Sequence, residues 1–469
     1  ILHIATNDRT LEALAQCLNF FSPDTEILTF PAWDTMPYDR ASPRPAIMAE
    51  RLKVLERLTT GKWDKKKLII LTTVNAVLQK LPPKEVLQNI SFSVKRGDKL
   101  NIGELTAYLT SQGYRRTGKA MESGEFALRG GIIDIIPAGM SDGVRIDLFG
   151  SEVESLKSFD PMTQLSSNTV DKITLSPMSE VILSEQSISR FRENYRDLFG
   201  AVSKEDPLYE AISQNTTYSG MEHWLPLFYE QCGTLLDYCS DTLITLDSEV
   251  QNAVSERQEA ILDYYEARKS AISMTSKKNS FASGAIYNPI LPDSFFIMKN
   301  DWENILKEHD NLTFSPFNEA PSVNSIPLNL RPTLRFSQGQ ADNSPFMQLK
   351  TKAEEGKAVM IACFSNGSRE RLQTLLLEHG FHNIKIESWK ESKNIKGKTI
   401  GLSVLPLEHG FETENLYIFS EQDILGERIS RAVKKKKTSD VFMQEASNFN
   451  EGDLVVHKEH GIGRFEGLI

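Results

Sequence analysis

The chain changes texture twice along its 469 residues, and this constrains its architecture more than any single motif. From residue 1 to about residue 90, apolar runs of strand length alternate with helical periodicity, the pattern of a parallel α/β layer. From 91 to 177 the pattern becomes short strands separated by glycine turns, and beyond it helical periodicity returns. A small β-rich domain inserted into an α/β domain is the arrangement these changes predict.

In the first segment, residues 1–5 form a strand, Leu11, Leu14 and Leu18 mark a helix, and 26–30 form a second strand. A helix follows Pro45 with Met48, Leu52 and Leu55 on one face, and 68–71 reads as a buried strand. Thr72 or Thr73 is placed to cap a further helix carrying Val74, Val77, Leu78 and Leu81, which Pro82 and Pro83 stop. In the insert, 126–136, 144–149 and 153–159 read as strands. Behind it, the second part of the first domain is expected to span 178–310, with a long helix from a cap at Asp247 or Ser248 to about Ala271 and a loop at 276–284. A second α/β domain is expected over 311–425, with strands at 358–363, 383–387 and 416–419 and a helix at 368–379. A basic linker, 426–450, separates it from a last fragment, 451–469.

The composition excludes several classes. Apolar runs such as 358–363 are far short of the roughly 20 residues that cross a bilayer, so no membrane partner is expected. Four cysteines without a Cys-x-x-Cys pair give neither a disulfide framework nor a zinc or redox motif, and ordinary thiols in the cytoplasm are the expectation. A strand-like start at Ile1 leaves the expectation that neither a signal peptide nor a natural start is present. A net charge of −10 argues against a surface built throughout for phosphate, and the basic run 428–437 reads as a solvated linker.

No enzyme chemistry is visible in these residues. A P-loop needs two glycines at fixed spacing before Lys and Ser/Thr, so that backbone N–H groups, the ammonium and the hydroxyl meet phosphate and Mg²⁺. Gly397-Lys398-Thr399 comes nearest, but Ser392 occupies the first glycine position and a strand follows where a helix is required. Gly61-Lys62 and Gly118-Lys119 lead into Trp63 and Ala120, which cannot serve a metal. The strand at 416–419, followed by Ser420 and Glu421, places a carboxylate where it caps a helix. His457 and His460 lie beside Gly461 and Gly463, which favour a turn over a metal-binding helix.

One strand carries a surface of interest. Period-2 geometry over 144–149 places Val144, Ile146 and Leu148 on one face and Arg145, Asp147 and Phe149 on the other. Arg129, before the Gly130-Gly131 turn, is placed to join the second face across the sheet. Arginine and aromatic side chains are enriched in interfaces, where truncating a hot spot costs about 2 kcal/mol or more. The spacing alone favours a half-exposed antiparallel strand whose polar face is merely wet, with Arg145 and Asp147 keeping solubility.

Five blocks taken together go further: FPAWDTMPYDR (30–40), TVNAVLQKLPP (73–83), GEFALRGGIIDIIP (124–137), VRIDLFGSEVESLKSFDPMTQ (144–164) and GMEHWLP (220–226). With EHGF (408–411), DILGER (423–428) and GDLVVHKEHGIGRF (452–465), they resemble in order the amino-terminal half of bacterial transcription-repair coupling factors, the Mfd family. The early blocks are similar to the excision-repair protein UvrB, and the last looks like the opening of a CarD-like β domain that binds RNA polymerase. The resemblance implies a multidomain α/β chain in which a UvrB-like domain (1–90 and 178–310) carries a UvrA-binding insert (91–177). Its UvrA contacts would fall on Arg129, Arg145 and Phe149. It also implies a degenerate UvrB-like module that has lost nucleotide and DNA handling, since 31–45 has only Trp33 and Tyr38 as aromatics. No cofactor is then expected in this segment, with ATP and Mg²⁺ belonging to a double-stranded-DNA translocase motor elsewhere in the parent protein. The competing reading is a segment of a UvrB-like helicase whose P-loop precedes Ile1.

Overall fold

The structure is a computed structural model. It describes residues 1–61, 67–88, 90–200, 206–239, 241–277, 287–317, 325–333, 336, 345–395, 398–426, 454–457 and 461–464; side chains at 271–277 and beyond 426 are outside the description. It divides into two units, Ile1–Pro327 and Leu328–Ile469.

The first unit begins with three parallel strands, β1 (Leu2–Ala5), β2 (Thr25–Phe30) and β3 (Lys67–Thr73). The crossovers are helices Asp8–Phe21 and Pro45–Thr60. The first is capped by the Asn7 side chain, which accepts from the Thr10 N–H, and the second starts on Pro45, whose missing N–H costs nothing there. Helix Pro45–Thr60 buries Met48, Leu52, Leu55 and Leu58 against the sheet. After β3 the helix is a single turn, Val74–Val77. Thr73 stands at its N-cap, yet its hydroxyl makes no cap bond, and Leu81 lies beyond the helix in a bridge to Gly233.

The chain then leaves for eight strands: β4 (Phe92–Lys95), β5 (Arg115–Arg116), β6 (Glu125–Arg129), β7 (Ile132–Ile135), β8 (Gly143–Phe149), β9 (Glu152–Phe159), β10 (Ser166–Thr169) and β11 (Lys172–Leu175). Six of them form a sheet in the order β10-β9-β8-β7-β6-β5, antiparallel except for β5 with β6. The entering and leaving strands, β4 and β11, pair with each other, so the excursion closes on itself. Helix Ile102–Ser111 buries Leu105 and Leu109 in a core shared with Phe126, Ile133, Ile135, Val144, Ile146 and Leu156.

Two late strands complete the first sheet: β12 (Ile244–Leu246) beside β1 and β13 (Asn311–Thr313) beside β12, both parallel. The sheet order is β13-β12-β1-β3-β2. The boundary expected between residues 310 and 311 is therefore corrected, because β13 belongs to the first sheet and this unit runs to Pro327. The long helix spans Val250–Lys277, starting later than the expected cap and absorbing Ser276 and Lys277; the rest of the expected loop is outside the described residues.

In the second unit, strands β14 (Arg331–Pro332), β15 (Ala358–Cys363), β16 (His382–Lys385), β17 (Thr399–Val404), β18 (Phe411–Glu412) and β19 (Leu416–Ser420) form one sheet. Its order is β14-β18-β19-β15-β17-β16, with β16, β17, β15 and β19 parallel. Helix Asn366–Glu378 is capped by Ser365. Thr399 opens β17, and Gly397 lies outside the described residues. Ser420 caps helix Glu421–Leu425 in a capping box with Asp423, while Glu421 accepts the Phe364 N–H. The carboxylate in the cap is therefore Asp423 rather than Glu421. An antiparallel hairpin joins β20 (Leu454–His457) and β21 (Gly461–Arg464); the turn with His460 and the basic run 428–437 lie outside the described residues.

Candidate docking site on the inserted domain

The two faces of the six-stranded sheet differ because its strands obey period 2. Phe126, Ile133, Val144 and Ile146 face the core. On the other face, cross-strand register builds rows. One row is Arg129, Ile132, Asp147 and Ser155. The next is Ala127, Asp134, Arg145 and Lys157. Phe149, opposite Glu152, stands one pleat beyond the first row.

Two tight turns fix this corner. Arg129 pairs with Ile132 across Gly130-Gly131, and Gly130 has φ +61° while Gly131 does not have positive φ, the pattern of a type II′ turn. Phe149 pairs with Glu152 across Gly150-Ser151, with Gly150 at φ +64°. The first turn is tied to β8 by the Leu148 N–H, which donates to the Gly131 carbonyl at 2.9 Å. The second is tied to the 98–100 segment by the Leu100 N–H donating to the Ser151 carbonyl at 2.7 Å. Strand β9 carries one extra residue, Glu154, because Asp147 pairs with Ser155 and Leu148 with Val153.

The three residues singled out in the sequence have different surroundings. Phe149 is 80% exposed, an uncommon position for a ring on a folded surface. Arg129 is exposed, and its side chain donates from Nη2 to the Gly118 carbonyl at 3.3 Å. Arg145 is largely withdrawn. Its Nε and Nη2 donate to the two carboxylate oxygens of buried Asp134 at 2.7 and 3.0 Å, and Nη1 donates to Ser166 Oγ at 3.1 Å. Its guanidinium also lies 5.2 Å from the centre of the Phe159 ring. The hydrogen bonds that Arg145 donates to Asp134 hold the guanidinium's pKa above the ordinary value. Of the guanidinium and phenyl ring expected side by side on this face, the ring is exposed and Arg145 lies in an ion pair with Asp134. A residue that the spacing did not single out, Ile132, is 37% exposed between Arg129 and Asp147.

Among the described residues no group of three or more His, Cys, Asp or Glu side chains is placed to hold a metal, and no helix is long and apolar enough to cross a membrane. The four cysteines are free thiols, and burial pushes those of Cys232, Cys239 and Cys363 up to about 12.

The fold defines a multidomain α/β chain that carries a mainly antiparallel β domain, with Phe149 and Arg129 exposed at one corner of its sheet. Three family models match it: "UvrB interaction domain" over residues 92–181, "MFD, D3 domain" over 353–424 and "CarD-like/TRCF RID domain" over 449–469. Transcription-repair-coupling factors of Rickettsia bellii and Haemophilus influenzae are 31% and 30% identical over 99% of this chain, and that of Escherichia coli is 26% identical over 95%. The chain belongs to the transcription-repair coupling factor family, of which it matches the amino-terminal part. It spans about 40% of the length of those relatives.

Proposed function

We propose that this chain serves transcription-coupled nucleotide excision repair by recruiting UvrA through its inserted domain. The observation that carries the reading is the match of the insert to the UvrB interaction domain, on a sheet whose outer corner exposes Phe149 and Arg129. The UvrA site is centred on Arg129, Arg145 and Phe149. The ring supplies apolar area and Arg129 a charge that a partner carboxylate can meet.

RNA polymerase is the second partner, through the CarD-like match at residues 449–469. The parent protein is an ATP-dependent translocase on double-stranded DNA that displaces stalled polymerase in the cytoplasm. ATP and Mg²⁺ belong to its motor, and this segment takes no cofactor. The alternative, part of a UvrB-like helicase, is disfavoured by the matches at 353–424 and 449–469 and by the names of the relatives.

Calorimetric titration of this chain with UvrA tests the proposal. Binding that weakens at least tenfold in Arg129→Ala and in Phe149→Ala supports it. Undiminished binding in both folded variants refutes the site, and no binding by the unaltered chain refutes the recruiting role.

A further inference from the structure

Independently of the UvrA reading, we infer that the cleft beyond the ends of β2 and β3 is a binding site for a small oxyanion that keeps one O–H, with hydrogen phosphate as its simplest form.

The parallel sheet sets the place. Trp33 and Thr35 follow β2, and Gln79 follows β3 after the single-turn helix, so they lie beyond the carboxyl ends of two neighbouring strands. Open α/β sheets take their ligands at such ends. His223, on the 3₁₀ helix Met221–Leu227, and Arg257, on helix Val250–Lys277, line the same cleft. The Trp33 and His223 rings meet edge to face with their centres 5.4 Å apart, and a backbone bridge to Phe296 holds Gln79.

Trp33 Nε1, Thr35 Oγ1, Gln79 Nε2 and His223 Nε2 are buried with no hydrogen-bond partner among the described residues, and Gln79 and His223 are 3% and 2% exposed. Folded proteins rarely leave such atoms unpaired, and four of them on residues lining one cleft call for a ligand that meets them together. Their chemistry says what it must carry. Trp33 Nε1 and Gln79 Nε2 can only donate, and so can the Arg257 guanidinium, which has no acidic partner among the described residues and whose pKa is lowered by burial. No carboxylate lines the cleft among the described residues. Three donors and an unmatched positive charge fit an anion with several acceptor oxygens. His223 has the opposite demand. Its hydrogen bond with the Ala41 backbone raises its pKa, so the ring donates there, and with Nε2 unpartnered the donor is Nδ1. Burial holds the pKa at about 4, so the ring is neutral at pH 7 and Nε2 is an acceptor that needs a hydrogen from the ligand. The Thr35 hydroxyl can take either role. Hydrogen phosphate brings acceptor oxygens, negative charge and one O–H. Sulfate and a phosphodiester lack the O–H at this pH, and water lacks the charge.

The test is calorimetric titration of the whole chain at pH 7 with sodium phosphate and with sodium sulfate, repeated on Arg257→Gln and Trp33→Phe variants first checked for unaltered thermal unfolding. Phosphate is expected to bind at millimolar concentration or below and at least tenfold more tightly than sulfate. It is expected to weaken at least tenfold in Arg257→Gln and at least threefold in Trp33→Phe, which keeps a ring and removes the donor. No phosphate binding by the unaltered chain, or unchanged binding in both folded variants, overturns the inference. Sulfate bound as tightly as phosphate also overturns it, because the O–H directed to His223 would then count for nothing. A single-stranded oligonucleotide is added as competitor; phosphate that stays bound supports a free oxyanion, and phosphate that is displaced makes the cleft a groove for a nucleic-acid backbone and overturns the assignment. Should the variants fail to fold, the comparison of phosphate with sulfate on the unaltered chain still decides.

Discussion

Replacing Arg51 by Met is expected to loosen the joint where the inserted domain returns to the α/β domain. Arg51, on helix Pro45–Thr60, is fully buried, with its side chain and that of Glu180 both at 0% exposure. Its Nε donates to Glu180 Oε1 at 2.6 Å, its Nη2 to Oε2 at 3.4 Å and its Nη1 to the Pro31 carbonyl at 2.7 Å. The guanidinium sits 4.2 Å from the Phe30 ring centre. Three segments distant in sequence thus meet on one cation. Removing it leaves the Glu180 carboxylate buried without its cation, which costs about 3–5 kcal/mol, and the orphaned Pro31 carbonyl adds on the order of 1 kcal/mol. Replacing both partners, Arg51→Met with Glu180→Leu, removes the stranded charge and is expected to return stability to within about 1–2 kcal/mol of the original. Hydrogen exchange in strand Thr25–Phe30 and helix Pro45–Thr60 reads the local opening free energy for each variant. A single variant that loses less than about 1 kcal/mol, or a double variant as unstable as the single one, would refute the reasoning.

Three further outcomes are expected. His223 is 2% exposed, and burial lowers its pKa to about 4 from an ordinary 6.5. Asp39 and a hydrogen bond with the Ala41 backbone pull it up, and Arg268 lowers it. Because the folded value is depressed, the unfolded chain takes the proton first, so the contribution of neutral His223 is present above pH 6.5 and is lost as pH falls toward 4. About 2 kcal/mol of it should be gone by pH 5. Neighbouring Glu222, raised by burial, opposes this trend, so the check is the stability difference between the unaltered chain and His223→Gln, which should shrink by about that amount between pH 7 and pH 5. Gly143→Ala should destabilise the insert by roughly 1–3 kcal/mol in chemical unfolding, since its Cβ would lie 2.2 Å from the Phe159 ring that Arg145 overlies. Phe149→Ser should change stability by less than about 0.5 kcal/mol in the same assay, because an 80% exposed ring contributes little to the core.

Legibility followed the range of the forces involved. Strands β1 to β3 and the hairpins of the insert were readable because each is fixed by its own periodicity and by the glycines of its turns. Strand β13 was not, since its three residues are all exposed and only Leu312 is apolar, so nothing local distinguishes it from the connection around it. The helix after β3 was overestimated because Leu78 and Leu81 continue a helical spacing while tertiary pairing with Ile297 and Gly233 takes over the backbone. At the docking corner, the exposure of Phe149 followed from alternation, but the capture of Arg145 depended on a partner in another strand. Asp134 alternates with Ile133 and Ile135, so it falls on the face opposite the core, and its burial there, which demands a cation, comes from packing that the sequence does not show.

The central claim is that the corner of the inserted sheet is where UvrA docks. Its most direct test is the affinity of this chain for UvrA, measured across a salt series for the unaltered protein and for Arg129→Ala with Phe149→Ala. Measurable binding that weakens as salt screens the Arg129 charge, and that falls at least a hundredfold in the double variant, is what the account predicts. Equal affinity in the two proteins at every salt concentration would contradict it.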